Sequence, residues 1–291
     1  MSDFRIGAFQ VLGKLGQGAH SNILHIRRSA DARQYALKVV PLDKKEDLKY
    51  LDQAKHEFRV SQLLDHPNLL KVYGLETETD WLFRPKKAHL LLEYVNGKTL
   101  DTAPNLTLPL LVQIFVRVSA GLTHMHKKGV LHADLKPNNI MLSKTGQVKI
   151  IDYGLAGIKG QPRSRIQGTP EYMAPETAKT KQVTEQSDIY NFGAAMYRMF
   201  TGKLPPAAIN EGDSLPIDAK TFERLLEPVV KANPKVPKKL AEIIHHCLMF
   251  DAARRPERIS VIQGQLDHLA DELVKKPEDK LESMEWTAAE E

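Results

Sequence analysis

Cysteine is all but missing from this sequence. Cys247 stands alone among 291 residues, which excludes an intramolecular disulfide framework and fits a reducing compartment. Long apolar runs are missing too: no stretch approaches the roughly 18 residues of a membrane span. The N-terminal MSDFRIGAFQ lacks the pattern of a signal peptide, and together these absences predict a soluble, cytoplasmic protein with no membrane span. A block of like charge is also lacking. The 41 Lys and Arg outnumber the 36 Asp and Glu by only five. The basic pairs Lys44-Lys45, Lys86-Lys87, Lys127-Lys128 and Lys238-Lys239 have acidic residues between them. This reads as a solvated, mixed-charge surface and not as a nucleic-acid footprint. Internal repeats and low-complexity tracts do not occur. What is present is ordinary for a folded chain: 42% hydrophobic residues exclude disorder as the main state. A chain of this length buries about three quarters of its unfolded surface without staples, as one large domain or two smaller ones.

The first ninety residues read mainly as strands. Phe9, Val11 and Leu15 recur at near-alternate positions, and Ile23 to Ile26 and Tyr35 to Val40 are short β-rich runs. One helix interrupts them, predicted from Asp47 to Leu64 by the spacing of Leu48, Leu51, Phe58 and Leu64, with His66-Pro67-Asn68 closing it. Apolar runs follow at Leu69 to Tyr73 and Leu90 to Val95, separated by a polar insertion from Glu76 to Lys87. After Asn96-Gly97 the period becomes helical. Leu108, Leu111, Val112, Phe115, Val118 and Leu122 mark an amphipathic helix ended by Gly129, and Ser187 to Phe200 is apolar nearly all round, as in a buried helix. Further helices are predicted near 221–226, 239–248 and 259–274. The expected class is therefore α+β: a small strand-rich lobe with one helix, a glycine-containing hinge, and a larger, mainly helical lobe. The acidic tail after Lys276 either frays or docks through Trp286.

Four groups of residues carry chemistry. Gly16-Gln17-Gly18-Ala19-His20-Ser21 is a glycine-rich turn between strands, where backbone N–H groups approach phosphate oxygens with no Cβ in the way. A plain hairpin turn explains it equally well, and a dinucleotide fingerprint fails because a strand follows instead of a helix. Lys38 lies within an apolar strand. If it points inward it needs an anionic partner, and Glu57 is the candidate. His132-Ala133-Asp134-Leu135-Lys136-Pro137-Asn138-Asn139 is far more specific. A carboxylate to orient a hydroxyl, a cation two residues later and an amide oxygen five residues later suit phosphoryl transfer with Mg²⁺. Lys149 to Gly154 then places Asp152 at the end of an apolar strand, where a second metal contact is needed.

With these residues in hand, the chain resembles the Hanks-type serine/threonine protein kinase family. The resemblance is carried further by the hinge Leu91-Leu92-Glu93-Tyr94-Val95, by Gly168-Thr169-Pro170-Glu171-Tyr172-Met173-Ala174-Pro175-Glu176, by Ser187-Asp188-Ile189-Tyr190 with Gly193, and by Arg255-Pro256. It covers residues 9 to 270. It implies the bilobal protein-kinase-like fold, with ATP in the cleft between lobes and a kinase domain over 1–275 (small lobe 1–92, hinge 93–97, large lobe 98–275) before the tail 276–291. It implies a catalytic base at Asp134, a γ-phosphate cation at Lys136, metal ligands at Asn139 and Asp152, and an α/β-phosphate lysine at Lys38 paired with Glu57. The nucleotide contacts it implies are Leu15, Gly16, Gln17 and Gly18. Ile23, Ala36 and Met141 sandwich the adenine, Leu92 is the gatekeeper, and Glu93 and Val95 offer backbone hydrogen bonds. Glu176 and Arg255 form a buried ion pair, and Asp188 braces the catalytic loop. Lys136 with Thr169 is the serine/threonine pattern. The implied cofactors are ATP and Mg²⁺, with Mn²⁺ as the alternative ion, and the implied partners are proteins bearing Ser or Thr.

Four positions depart from the family. The loop's third glycine is Ser21. The arginine before the catalytic Asp is Ala133, so an activation-segment phosphate lacks its internal partner, and activation independent of that contact is expected. Ser164 is the only hydroxyl between Gly154 and Gly168. Tyr153 replaces a phenylalanine and Ser61 an apolar residue, and a link between their hydroxyls is expected or, alternatively, independent change with the tyrosine on water. The compact chain and its irregular catalytic loop look most like bacterial members. Rival readings are a pseudokinase scaffold, against which the full set Lys38, Glu57, Asp134, Asn139 and Asp152 argues, and a small-molecule phosphotransferase, which lacks the GTPEYMAPE platform. Cys247 reads as a core residue. The pairs His124/His126 and His245/His246 lack the spacing of helical metal ligands.

Overall fold

The alternating residues of the first ninety positions form an antiparallel sheet. The structure, a computed structural model, describes residues 5–18, 20–104, 106–160, 167–208 and 217–283. The chain divides into two units, one made of residues up to 65, 69–96 and 152–154, the other of 66–68, 97–151 and 155 onward.

In the first unit, strands β1 (Arg5–Ile6), β2 (Phe9–Gly18), β3 (Ser21–Arg28), β4 (Gln34–Pro41), β5 (Val72–Thr79) and β6 (Pro85–Glu93) form one sheet in the order β1-β2-β3-β4-β6-β5. All neighbours are antiparallel. One face is closed by Ile26, Tyr35 and Leu37 packed with Phe9, Val11, Leu24, Val39 and Leu91. Helix α1 (Leu48–Ser61) buries Leu51, Ala54, Glu57, Val60 and Ser61, spaced along one helical face. It is shorter at both ends than the sequence predicts. A 3-10 turn, Lys45–Asp47, precedes it. At its far end Leu63 and Leu64 donate to the carbonyls three residues back, so the chain tightens out of the helix before Pro67 is reached. The expected polar insertion is mostly strand. Glu76 and Glu78 sit on edge strand β5, where backbone pairing needs no apolar side chains.

The second unit contains strands β7 (Gly97–Thr99), β8 (Val130–Leu131), β9 (Ile140–Ser143), β10 (Val148–Ile150) and β11 (Gly157–Ile158), and helices α2 (Leu108–Lys127), α3 (Pro175–Thr180), α4 (Glu185–Thr201), α5 (Ala219–Leu225), α6 (Val229–Ala232), α7 (Lys238–Cys247) and α8 (Ile259–Leu273). The strands make two small sheets, β10-β9-β7 and β11-β8. Helix α2 is long and apolar enough, by length and composition, to cross a membrane, contrary to the expectation that no stretch approaches a span. Here 61% of that stretch is buried inside the fold, and Val112, Ile114, Phe115, Val118, Leu122 and Met125 are fully enclosed. Helix α4 is capped by reciprocal hydrogen bonds between Thr184 and Ser187. Its Gly193 faces Cys247 of α7 so closely that a Cβ there would collide with the cysteine side chain. After α8 the chain does not fray at once. Turns at Pro277–Asp279 and Leu281–Ser283 follow, Leu281 is buried, and the Gln113 amide of α2 donates to the Asp279 carbonyl and accepts the Leu281 N–H. Trp286, the expected anchor, lies outside the described residues, as does Ser164.

Candidate active site

In the first unit, sheet register gathers the expected nucleotide residues on one face. Gly16 lies opposite Ile23, and Ile23 lies opposite Lys38. One step along, Ala36 lies opposite Leu92. Residues directly opposite share a face, and positions 36 and 38 share it too because the strand repeat is two. Leu37 and Val39 therefore turn to the apolar core while Lys38 turns to α1. There its Nζ donates to Glu57 Oε2 at 2.7 Å and lies 3.8 Å from Asp152 Oδ1. Burial alone would weaken the ammonium; the carboxylates of Glu57 and Asp152 outweigh it and hold Lys38 above the usual lysine range. Leu15 and Gln17 lie on β2, Gly18 pairs with Ser21 across the turn, and a Cβ at Gly18 would crowd the Ser21 hydroxyl. In the segment that follows Leu92, the Glu93 N–H donates to the Lys71 carbonyl and its carboxylate accepts the Lys71 N–H. Val95 is buried.

Asp152 has φ +67°, a left-handed conformation uncommon for a side-chain-bearing residue. Its Oδ1 accepts the Gly154 N–H at 3.0 Å. Tyr153 is fully buried. The expected link to Ser61 is not made: the Tyr153 hydroxyl donates to the Leu70 carbonyl at 3.1 Å, and the Ser61 hydroxyl donates back to the Phe58 carbonyl in its own helix at 2.7 Å. A main-chain acceptor was closer to hand for each hydroxyl, which is the ordinary fate of buried side-chain donors. A contact that the sequence reading missed closes the turn itself. The His20 ring stacks on Tyr50 of α1, centroids 3.9 Å apart, and the Tyr50 hydroxyl is hydrogen-bonded to His20 Nε2.

In the second unit, the loop 132–139 is organised from beneath by Asp188 of α4. This fully buried carboxylate accepts the N–H groups of His132 (2.8 Å) and Ala133 (2.7 Å), and Nε2–H of His126 (2.8 Å). Burial would push its pKa up; the His126 hydrogen bond and charge, with the backbone donors, outweigh it and hold Asp188 below the usual carboxylate range. Asp134 Oδ1 accepts the Thr169 N–H at 2.8 Å, and its Oδ2 lies 3.1 Å from Lys136 Nζ. Lys136 in turn donates to Thr169 Oγ1 at 2.5 Å. Asn139 commits its NH₂ group to the Asp134 main-chain carbonyl at 2.8 Å, which leaves the amide oxygen as its ligand atom. Met141 lies on β9, opposite Thr99 and Lys149. Arg255, with its side chain fully enclosed, grips Glu176 through two bonds of 2.8 Å each and also donates to the carbonyls of Met249, Gln186 and Phe250. Among the described residues, no group of three or more His, Cys, Asp and Glu is arranged to hold a metal ion.

Comparison with known proteins agrees with this geometry. The model of the family described as protein kinase domain matches residues 9–268. The chain is 26% identical over 269 residues to serine/threonine-protein kinase PrkC of Bacillus subtilis (strain 168), covering 89% of this chain and 40% of that protein. It is 27% identical over 259 residues to cAMP-dependent protein kinase type 3 of Saccharomyces cerevisiae, covering 87% of this chain and 61% of that protein. With serine/threonine-protein kinase pkn2 of Myxococcus xanthus the identity is 28% over 270 residues, covering 86% of this chain and 31% of that protein. The chain thus spans between about a third and three fifths of the length of these relatives.

Proposed function

Because the chain belongs to the Hanks-type serine/threonine protein kinase family, we propose that it transfers the γ-phosphoryl group of ATP to serine or threonine hydroxyls of protein substrates. The observation that carries this reading is the triangle of Asp134, Lys136 and Thr169. In it a carboxylate able to accept a hydroxyl proton lies 3.1 Å from a cation and is fixed by a main-chain donor. In the reaction the substrate oxygen bonds to the γ-phosphorus as the bond to the bridging oxygen breaks. That electron pair leaves with ADP, and the hydroxyl proton passes to Asp134. Lys136 offsets charge building on the transferred group. Lys38, kept charged by Glu57, holds the α- and β-phosphates, and Ile23, Ala36 and Leu92 offer adenine an apolar face. Asn139 and Asp152 bring an amide and a carboxylate oxygen, hard ligands that suit Mg²⁺, or Mn²⁺ in its place. When bound, that ion supplies neutralisation of phosphate charge. Transfer of labelled phosphate from ATP to a generic basic protein tests the reading, with Asp134→Ala as control. Loss of transfer in the variant with retained ATP-induced thermal stabilisation supports it. ATP binding without transfer by the parent chain makes the protein a binding scaffold instead.

Activation without a phosphorylated segment belongs to the same proposal. The position before Asp134 carries only a methyl group at Ala133, so no guanidinium is supplied there to receive a phosphate. Phosphatase-treated protein and Ser164→Ala should both keep most of the activity, and strong loss in either refutes independence. Cytoplasmic residence is proposed on the lone thiol of Cys247.

A further inference from the structure

The β5–β6 turn carries the most exposed large hydrophobic side chains among the described residues. Trp81 is 84% and Phe83 87% exposed, with Leu82 at 42% between them. This turn is built rather than loose. Asp80 Oδ1 accepts the N–H groups of Leu82 (2.9 Å) and Arg84 (3.0 Å), the Asp80 N–H donates to the Arg84 carbonyl, and the Phe83 N–H donates to the Asp80 carbonyl. Phe83 sits at φ +58°, a left-handed conformation unfavourable for a residue with a Cβ. A strained, hydrogen-bonded turn is therefore holding two aromatic rings in water, against the ordinary drive to bury them.

We propose that this turn is a membrane-docking tip, which inserts Trp81, Leu82 and Phe83 into the interface of a bilayer rich in anionic lipid. Charge argues for that occupant. Over residues 80–87 the cations Arg84, Lys86 and Lys87 face one carboxylate, Asp80, and that carboxylate is turned onto its own backbone donors. The nearest ion pairs, Lys86 with Asp80 at 3.9 Å and Lys87 with Glu78 at 3.5 Å, are long and exposed, so they hold the lysines weakly. Glu78 lies directly across from Lys87, at the base of the tip, and only Glu76 lies further back along β5, across from His89. Size argues the same way. A stable protein interface needs about 800 Å² from each partner, far more than a five-residue turn presents. A bilayer needs only an amphipathic aromatic tip at headgroup depth with basic residues behind it, which an anionic surface attracts. The inference is independent of the kinase reading.

Co-sedimentation with vesicles of phosphatidylglycerol and phosphatidylcholine, compared with phosphatidylcholine alone, tests it. Binding is expected to the anionic vesicles and to weaken as salt is raised. The chain has two tryptophans, Trp81 and Trp286. In a Trp286→Phe background, the Trp81 emission should shift to the blue on binding and be quenched by brominated lipid. Trp81→Ala with Phe83→Ala should reduce partitioning on the order of tenfold or more, and Arg84→Glu with Lys86→Glu should reduce it further, while ATP-induced thermal stabilisation is unchanged. The proposal is overturned if the chain stays in solution with both vesicle types, if the double alanine variant binds as well as the parent, or if Trp81 emission does not move on binding. Failure to bind lipid leaves a hydrophobic pocket on a protein partner as the occupant.

Discussion

Ala133 is held at φ +69° by a neighbour it does not choose: Asp188 takes its N–H and that of His132, so the main chain must bend through the left-handed region to present both. The strain should be releasable. Ala133→Gly keeps the hydrogen bond and removes the Cβ conflict, and the variant should be more stable by about 0.5–1 kcal/mol in urea unfolding after the extra freedom of glycine in the unfolded chain is subtracted. Tyr153 makes the opposite case. Its hydroxyl is buried and bonded to the Leu70 carbonyl, so Tyr153→Phe should lose about 0.5–1.5 kcal/mol. Because Ser61 is bonded elsewhere, a double-mutant cycle between Tyr153→Phe and Ser61→Ala should give a coupling energy near zero. A coupling of about 1 kcal/mol would restore the polar link between them.

Elements differ in how openly the sequence announces them, and the reason is physical. Helices α2 and α4 repeat their apolar period over several turns, and both are found within a few residues of where the pattern places them. Strands β7 to β11 run for two to four residues, too short to carry any period. The β5–β6 hairpin escaped because an edge strand can be polar on every exposed position. Lys38 and Glu57 were legible as chemistry, and their meeting is local to one unit. The His20–Tyr50 clasp was invisible, since nothing in either neighbourhood announces a contact across thirty residues. Two elements also carry testable consequences. Arg255 ties α3 to the segment after α7 through a bidentate pair in which the guanidinium is fully buried and Glu176 is partly exposed; Arg255→Met, which strands Glu176 and three main-chain carbonyls, should cost about 3 kcal/mol in thermal or chemical unfolding. His245 of α7 accepts the N–H of Val229, where α6 begins, at 3.0 Å, and burial lowers its pKa below the usual histidine value. The unfolded chain therefore takes up this proton first as pH falls below about 6.5, and the contribution is lost as pH drops through the folded value. His245→Gln, which keeps an acceptor but does not titrate, should flatten stability against pH in that window. Part of the slope should remain, because burial lowers His89 as well.

For the whole molecule, the fold reaches past the end of the family match at residue 268. Leu281 is buried and Gln113 holds the main chain on both sides of it, while Gly146, at φ +77°, leaves room that a Cβ would deny to the Leu281 carbonyl. Gly146→Ala should release the segment after α8 while leaving the remainder folded, seen as faster amide exchange and proteolysis confined to residues 275–283. Uniform loosening of the large unit would contradict that separation. The lone cysteine has a consequence of another kind. Cys247 is fully enclosed against Gly193, and burial pushes its thiol up to about 12, so the native protein presents no reactive thiolate. A disulfide reagent should modify a single site per chain, and only when α4 and α7 part. The protein therefore carries a built-in clock for the opening of its own core, readable as the rate at which its one native thiol is labelled, with no engineered site.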